Sequence, residues 1–134
     1  MASRTFRVSV PDELDFAFAF ITERLNSAGL TIQNPYTGKI TSWSEEGDQV
    51  VTATEDVLTE IKSAKLTNVQ FWASSSDDLF VSWNWDGHLS IFSFHLNGLE
   101  VSRTIAIASN LIEGLLIKYA SNKLSGDVFV VNFE

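Results

Sequence analysis

Residues 69–96 read VQFWASSSDDLFVSWNWDGHLSIFSFHL, the clearest structural signal in the chain. Apolar and polar residues alternate through 79–85 and again through 88–96, with Asp86-Gly87 between the two runs. A period of two marks strands with one buried face, and an Asp-Gly pair between such runs is a strong hairpin signal. A two-residue turn there would pair Trp85 with His88, Trp83 with Ser90, Val81 with Phe92 and Leu79 with Phe94, all on one strongly apolar face. The opposite face would pair Asn84 with Leu89, Ser82 with Ile91, Phe80 with Ser93 and Asp78 with His95, and it is mixed. Residues 69–73 form a preceding strand, reached through a turn at Ser74-Ser75-Ser76-Asp77.

The pattern changes on either side of this unit. Upstream, Phe6, Val8 and Val10 alternate with Arg7 and Ser9 as a first strand. Pro11 then opens a helix at a first-turn position, with Asp12, Glu13 and Asp15 at its positive end. Leu14, Phe18, Ile21 and Leu25 recur at helical spacing, and Gly29 stops the helix. Residues 30–52 are less legible: Thr31 to Gln33 is open between strand and loop, Asn34-Pro35 and Thr37-Gly38 are turns, 40–43 returns as a strand, and 44–48 is an acidic loop. Thr54 is placed to cap a second helix whose inward residues are Val57, Leu58, Ile61 and Ala64. Downstream, Asn97-Gly98 ends the sheet unit, and a third helix carries an apolar stripe of Val101, Ile105, Ala108, Ile112, Leu115 and Tyr119. Gly126 precedes a last strand over 128–133. The expected fold is α+β, a mainly antiparallel sheet with about three helices packed on one face, in a single domain over 1–134.

Composition removes several function classes. The chain has no cysteine, so disulfides, thiolate metal sites and cysteine nucleophiles are excluded, which fits a reducing, cytoplasmic setting. The opening MASRTFRVSV has no apolar run of the secretory kind. The most apolar long stretch, 101–119, is interrupted by Arg103, Asn110, Glu113 and Lys118 and reads as a core helix rather than a membrane span. A formal charge of −8 opposes direct nucleic-acid binding, which relies on Lys and Arg neutralising phosphates. The acidity is concentrated in the middle: Glu45, Glu46, Asp48, Glu55, Asp56 and Glu60 lie between Lys39 and Lys62, and Asp77, Asp78, Asp86 and Glu100 between Lys65 and Arg103. Arg4, Arg7, Arg24, Arg103, Lys118 and Lys123 sit towards the ends.

No catalytic constellation stands out. His88 and His95 are seven apart, which in a continuous strand puts them on opposite faces and denies them a shared metal or catalytic centre. The serines lack a nucleophile elbow, the glycines form no phosphate-binding or dinucleotide loop, and Asp77-Asp78 has no calcium-loop companions. The expectation is therefore a non-catalytic protein with no cofactor and no metal. Trp43 stands beside the Glu45, Glu46, Asp48 loop, and Trp85 beside Asp86 at the hairpin turn. An exposed aromatic flanked by acids suits a protein interface, because binding energy concentrates in such anchors. The candidate partner-binding residues are thus Trp43, Glu45, Glu46 and Asp48, favoured because loops carry function disproportionately, together with Asp77, Asp78, Trp85 and Asp86.

The segments VQFWASSSDDLFVSWNWDG and HLSIFSFHLNGLE, followed by an Ala/Ile/Leu-rich helix to Tyr119, carry a family likeness. Aromatic antiparallel strands, an Asn-Gly stop and a closing helix in this order resemble the small acidic immunity proteins encoded beside bacterial polymorphic toxins, including those of contact-dependent growth inhibition. The likeness covers residues 69–119 and no catalytic motif. It implies a cytoplasmic inhibitor that binds one toxin domain, typically a nuclease with a basic groove, and blocks its active site. Other readings stay open: a phage-type acidic inhibitor of another nucleic-acid enzyme, a small enzyme or ligand-binding domain using the mixed sheet face, or a homodimer built on that face. The sequence leaves open whether the chain is a monomer or a homodimer.

Overall fold

The computed structural model describes residues 4–74, 76–119 and 124–133. Met1 to Ser3, Ser75 of the expected 74–77 turn, and Lys123 lie outside the described residues. Five strands form an antiparallel sheet: β1 (Arg4–Val10), β4 (Asn68–Trp72), β5 (Asp78–Trp85), β6 (Ser90–His95) and β7 (Phe129–Phe133), in the order β4-β5-β6-β1-β7. A second, two-stranded sheet is the hairpin β2 (Ile40–Trp43) and β3 (Gln49–Thr52). The helices are α1 (Leu14–Ser27), α2 (Val57–Lys62) and α3 (Val101–Lys118), with one 3₁₀ turn at Thr54–Asp56 before α2. The α+β architecture with a mainly antiparallel sheet stands as read from the sequence.

The alternation in β1, β5 and β6 sorts side chains as expected. Phe6, Val8, Leu79, Val81, Trp83, Phe92 and Phe94 are buried on the helix-bearing face. There Phe18 of α1 meets Trp83 edge-on at 5.3 Å between ring centroids and Phe71 at 6.5 Å, while Phe20 meets Tyr119 at 5.5 Å. These rings join both long helices and the sheet in one core.

Four expectations are corrected. First, α1 begins at Leu14 rather than at Pro11, because Asp12 is committed elsewhere. Its carbonyl accepts the Ser90 hydroxyl at 2.8 Å, and its carboxylate accepts the Tyr119 hydroxyl at 3.1 Å, which pins the bend to β6 and α3. At the other end α1 stops as expected: Gly29 has φ +90°, and the Leu30 N–H reaches back to the Leu25 carbonyl at 2.9 Å.

Second, the β5–β6 hairpin closes two residues later than a two-residue turn requires. Trp85 pairs with Ser90, Trp83 with Phe92, Val81 with Phe94, Asn84 with Ile91, Ser82 with Ser93 and Phe80 with His95. The Asp86 carboxylate accepts the N–H groups of Leu89 at 2.6 Å and His88 at 2.8 Å, so 86–89 forms the loop. A slip of two keeps every side chain on its expected face. It also separates Asp78 from His95: Asp78 pairs with Trp72 in β4, and the His95 ring lies 5.3 Å from Phe80.

Third, Val57 and Ile61 of α2 are buried, but Leu58 is exposed and Ala64, at φ +62°, lies past the helix end in solvent. Fourth, the inward side of α3 is rotated from the expected stripe, which is right at Leu115, Tyr119 and the core-packed Ala108 and wrong at its other three positions. Ile107, Leu111, Gly114 and Leu115 are buried with Tyr119, whereas Val101, Ile105 and Ile112 face out. Gly114 explains the choice. A Cβ at that position would fall inside the Arg24 side chain and 3.1 Å from the Phe20 ring, so glycine lets α1 approach α3 closely on this side. Between α1 and β2 the chain makes only two isolated bridges, Thr31 to Trp72 and Gln33 to Ile40, rather than a strand over 31–33.

Candidate functional site

The β2–β3 hairpin is the most acidic unit of the chain, and one side chain fastens it to the large sheet. Asn68, buried at the start of β4, accepts the Trp43 backbone N–H through Oδ1 at 2.8 Å and donates from Nδ2 to the Trp43 carbonyl at 2.9 Å. An amide side chain thus stands in for a strand backbone, and a second bonded row extends the attachment. The Trp43 indole N–H donates to Gln70 Oε1 at 3.0 Å, and the Gln70 amide donates to the Asp78 carboxylate. Trp43 is left 39% exposed, held on the solvent side of β4.

Beyond Trp43 the chain turns tightly. The Ser44 N–H bonds the Asp48 carbonyl at 2.9 Å, the Ser44 hydroxyl accepts the Asp48 N–H at 3.1 Å, and Gly47 takes φ +87°. This geometry places Glu45 and Glu46 at an exposed tip. The hairpin leads into the 3₁₀ turn with Glu55 and Asp56, and Glu60 of α2 accepts the Thr52 hydroxyl at 3.3 Å, tying α2 back to β3.

Residues 40–62 therefore carry Glu45, Glu46, Asp48, Glu55, Asp56 and Glu60 against the single base Lys62, which is paired with Asp15 at 3.4 Å. Among the described residues none of those six carboxylates makes an ion pair. β1 and α3 carry the opposite balance, with Arg4, Arg7, Arg103 and Lys118 against Glu113. β4 and β7 are the two edges of the sheet, and the hairpin carrying Glu45, Glu46 and Asp48 is fastened at the β4 edge, with Lys39 and Lys65 flanking the acidic stretch in sequence. Unpaired like charges on one surface project a field well beyond their own contacts.

The remaining candidates divide. Asp78 joins Trp43 through Gln70, and Asp77 sits exposed in the β4–β5 connection. Trp85 and Asp86 lie at the other end of β5 from Asp78, about 23 Å along a strand of eight residues. Trp85 is on the helix-bearing side, where it lines an open groove of about 340 Å³ with Leu14 and Ile61. The Asp86 carboxyl is held below its ordinary value, chiefly by the Leu89 N–H and next by the His88 N–H, so it organises its own loop. His88 is exposed in that loop and His95 on the outer sheet face.

Asn68 and Gln70 are the residues that sequence reasoning passed over. A single Asn ahead of an apolar strand and a polar residue at an outward strand position carry no signal of their own. No group of three or more His, Asp or Glu side chains is arranged to hold a metal among the described residues, and no helix among them is long and apolar enough to cross a membrane. No protein-family model, curated protein or solved structure matches this chain.

Proposed function

We propose that the chain is a non-catalytic inhibitor that binds a basic protein through the acidic surface beside β4, most specifically an immunity protein that neutralises a nuclease toxin. The observation carrying this reading is the hairpin tip: Glu45, Glu46 and Asp48, free of ion pairs among the described residues, lie beside Trp43, which is half-exposed yet held by three hydrogen bonds. A fixed aromatic needs little ordering on binding, so it suits an anchor. The surrounding acids attract a basic groove over distance and repel other acidic surfaces, which raises the association rate and narrows partner choice. The resemblance of residues 69–119 to toxin-associated immunity proteins supplies the class of partner.

The test is capture from lysate of the source cell at low and high salt, followed by a nuclease assay on the protein retained. One basic domain should be held at equal stoichiometry, lose its activity when bound, and be released by salt. Glu45→Lys and Asp48→Lys should weaken capture at least tenfold, mainly through slower association. Failure to retain any basic protein at low salt, where exposed charges attract most strongly, would sink the proposal.

A further inference from the structure

The other edge of the sheet has different chemistry. β7 pairs with β1 on one side and, among the described residues, with no strand on the other. The Ser9 N–H bonds the Val128 carbonyl at 2.9 Å, which sets the phase of this antiparallel ladder. The backbone groups of Val130 and Asn132 point at β1, and those of Phe129, Val131 and Phe133 point away from it. The register places the same three side chains on the helix-bearing face, Phe129 opposite Val8 and Val131 opposite Phe6.

Beside them runs the outward stripe of α3. Val101, Ile105, Ile112 and Leu116 share one side of the helix, with Val101 65% and Leu116 58% exposed, and Phe133 across from them is 69% exposed. A groove of about 220 Å³, lined by Ile112, Leu115, Leu116, Leu124, Val128 and Phe129, joins stripe to strand. Edge strands are commonly blunted by lysine, proline or a covering segment. FVVNF contains neither lysine nor proline. The β4 edge, in contrast, is covered by Thr31 and by β2 through Asn68.

We propose that this edge and the outward face of α3 form an interface between two copies of the chain, with β7 pairing antiparallel to its twin about a two-fold axis at Val131. Three observations favour a second copy over another occupant. The strand is self-complementary: with Val131 opposite itself, Phe129 falls opposite Phe133, and the outward N–H and C=O groups of all three residues find partners. Val101, Ile105, Ile112, Leu116, Val131 and Phe133 are each between 41% and 69% exposed, a continuous apolar face of the kind a standard interface of about 800 Å² per partner buries. The charge also permits it, since β7 has no charged residue and the carboxylates of residues 40–62 sit beside the opposite edge. Two chains of charge −8 can meet here with their acidic surfaces at the far ends of one continuous sheet. The homodimer face is then this edge, not the mixed outer face of the sheet.

Sedimentation equilibrium from about 1 to 100 μM, the weaker end of the affinity range for interfaces of this size, tests it. The mass should rise from 14.9 kDa towards twice that value. Val131→Pro removes an N–H that points away from β1, so it should spare the fold and weaken the dimer at least tenfold. Leu116→Lys should do the same from the helix, and it decides the matter should circular dichroism show the proline variant unfolded. Glu45→Lys, on the acidic surface, should leave the dimer unchanged, which separates this proposal from the inhibitor reading. A chain that stays monomeric at about 100 μM overturns the proposal, even if the edge then accepts a strand from a different protein. So does a dimer indifferent to both interface variants.

Discussion

Asn68→Ala should loosen the Trp43 end of the acidic hairpin while leaving the rest of the sheet standing. The side chain makes two hydrogen bonds to the Trp43 backbone, at 2.8 and 2.9 Å, and both groups lose their protein partner when it is truncated. Each neutral bond contributes about 1 kcal/mol net, so the two give about 2 kcal/mol. Full burial of the orphaned groups would raise that figure, but Trp43 is 39% exposed and water can reach part of the site. The Gln70 contact to the Trp43 indole survives, yet it lies at the surface and holds only the ring. Urea denaturation should therefore show a loss of about 2 kcal/mol. Amide exchange should resolve where it falls: protection at Trp43 and through β2 and β3 should drop, while Val8, Phe92 and Phe94 exchange as before. On the inhibitor proposal, association with a basic partner should weaken as well, because Trp43 and the acids beside it are no longer held. A variant within about 0.5 kcal/mol of the parent, with the Trp43 amide still protected, would refute the clamp.

Two further changes test the packing. Gly114→Ala would gain about 1 kcal/mol on an open helix surface, but here the added methyl meets Arg24 and the Phe20 ring, and overpacking costs about 1–3 kcal/mol. A net loss of roughly 1 kcal/mol is expected by denaturant titration, and it should vanish or reverse in an Arg24→Ala background. Tyr119 is buried and donates to Asp12, and burial first, then that carboxylate, pushes its ionisation well above the ordinary value of 10.0. The folded state thus keeps a proton that the unfolded state releases, so the stability from this group is complete below pH 10 and is lost as pH rises beyond it. Tyr119→Phe should be less stable at pH 7 by about 1–2 kcal/mol, and its deficit in thermal or urea unfolding should shrink between about pH 9 and 11.

The aromatic hairpin and both long helices were legible because period-two and helical spacing report one buried face per element. What sequence left out has local causes. The register moved by two because the Asp86 side chain, not an Asp-Gly turn alone, closes the loop. β3 went unread because Val50 and Val51 are exposed and only Thr52 is buried, so its pattern has no core-facing period. α3 is apolar over a wide arc, so helical periodicity found Leu115 and Tyr119 but could not fix which neighbouring positions turn inward. Gly114 decides, since only that side of the helix admits α1. Of the candidate site, Trp43 and its neighbouring acids could be named from residue type alone. Their fastening to Asn68 and Gln70 joins positions 25 and 27 residues apart and is visible only in three dimensions.

A hairpin whose tip strand is clamped by one amide side chain at the main chain of Trp43 has a bearing on how such a protein can change. The clamp reads only the main chain of Trp43, and every residue has the same main-chain groups apart from proline. Residues 45–48 lie outside the core, so substitution, or even exchange of the tip, leaves the folding of the large sheet untouched. The tip proposed to bind a partner and the core that folds the chain thus sit on separate parts of the molecule. Under the inhibitor proposal, a short tip can be rewritten for a new partner while Asn68 keeps the same main-chain hold on it.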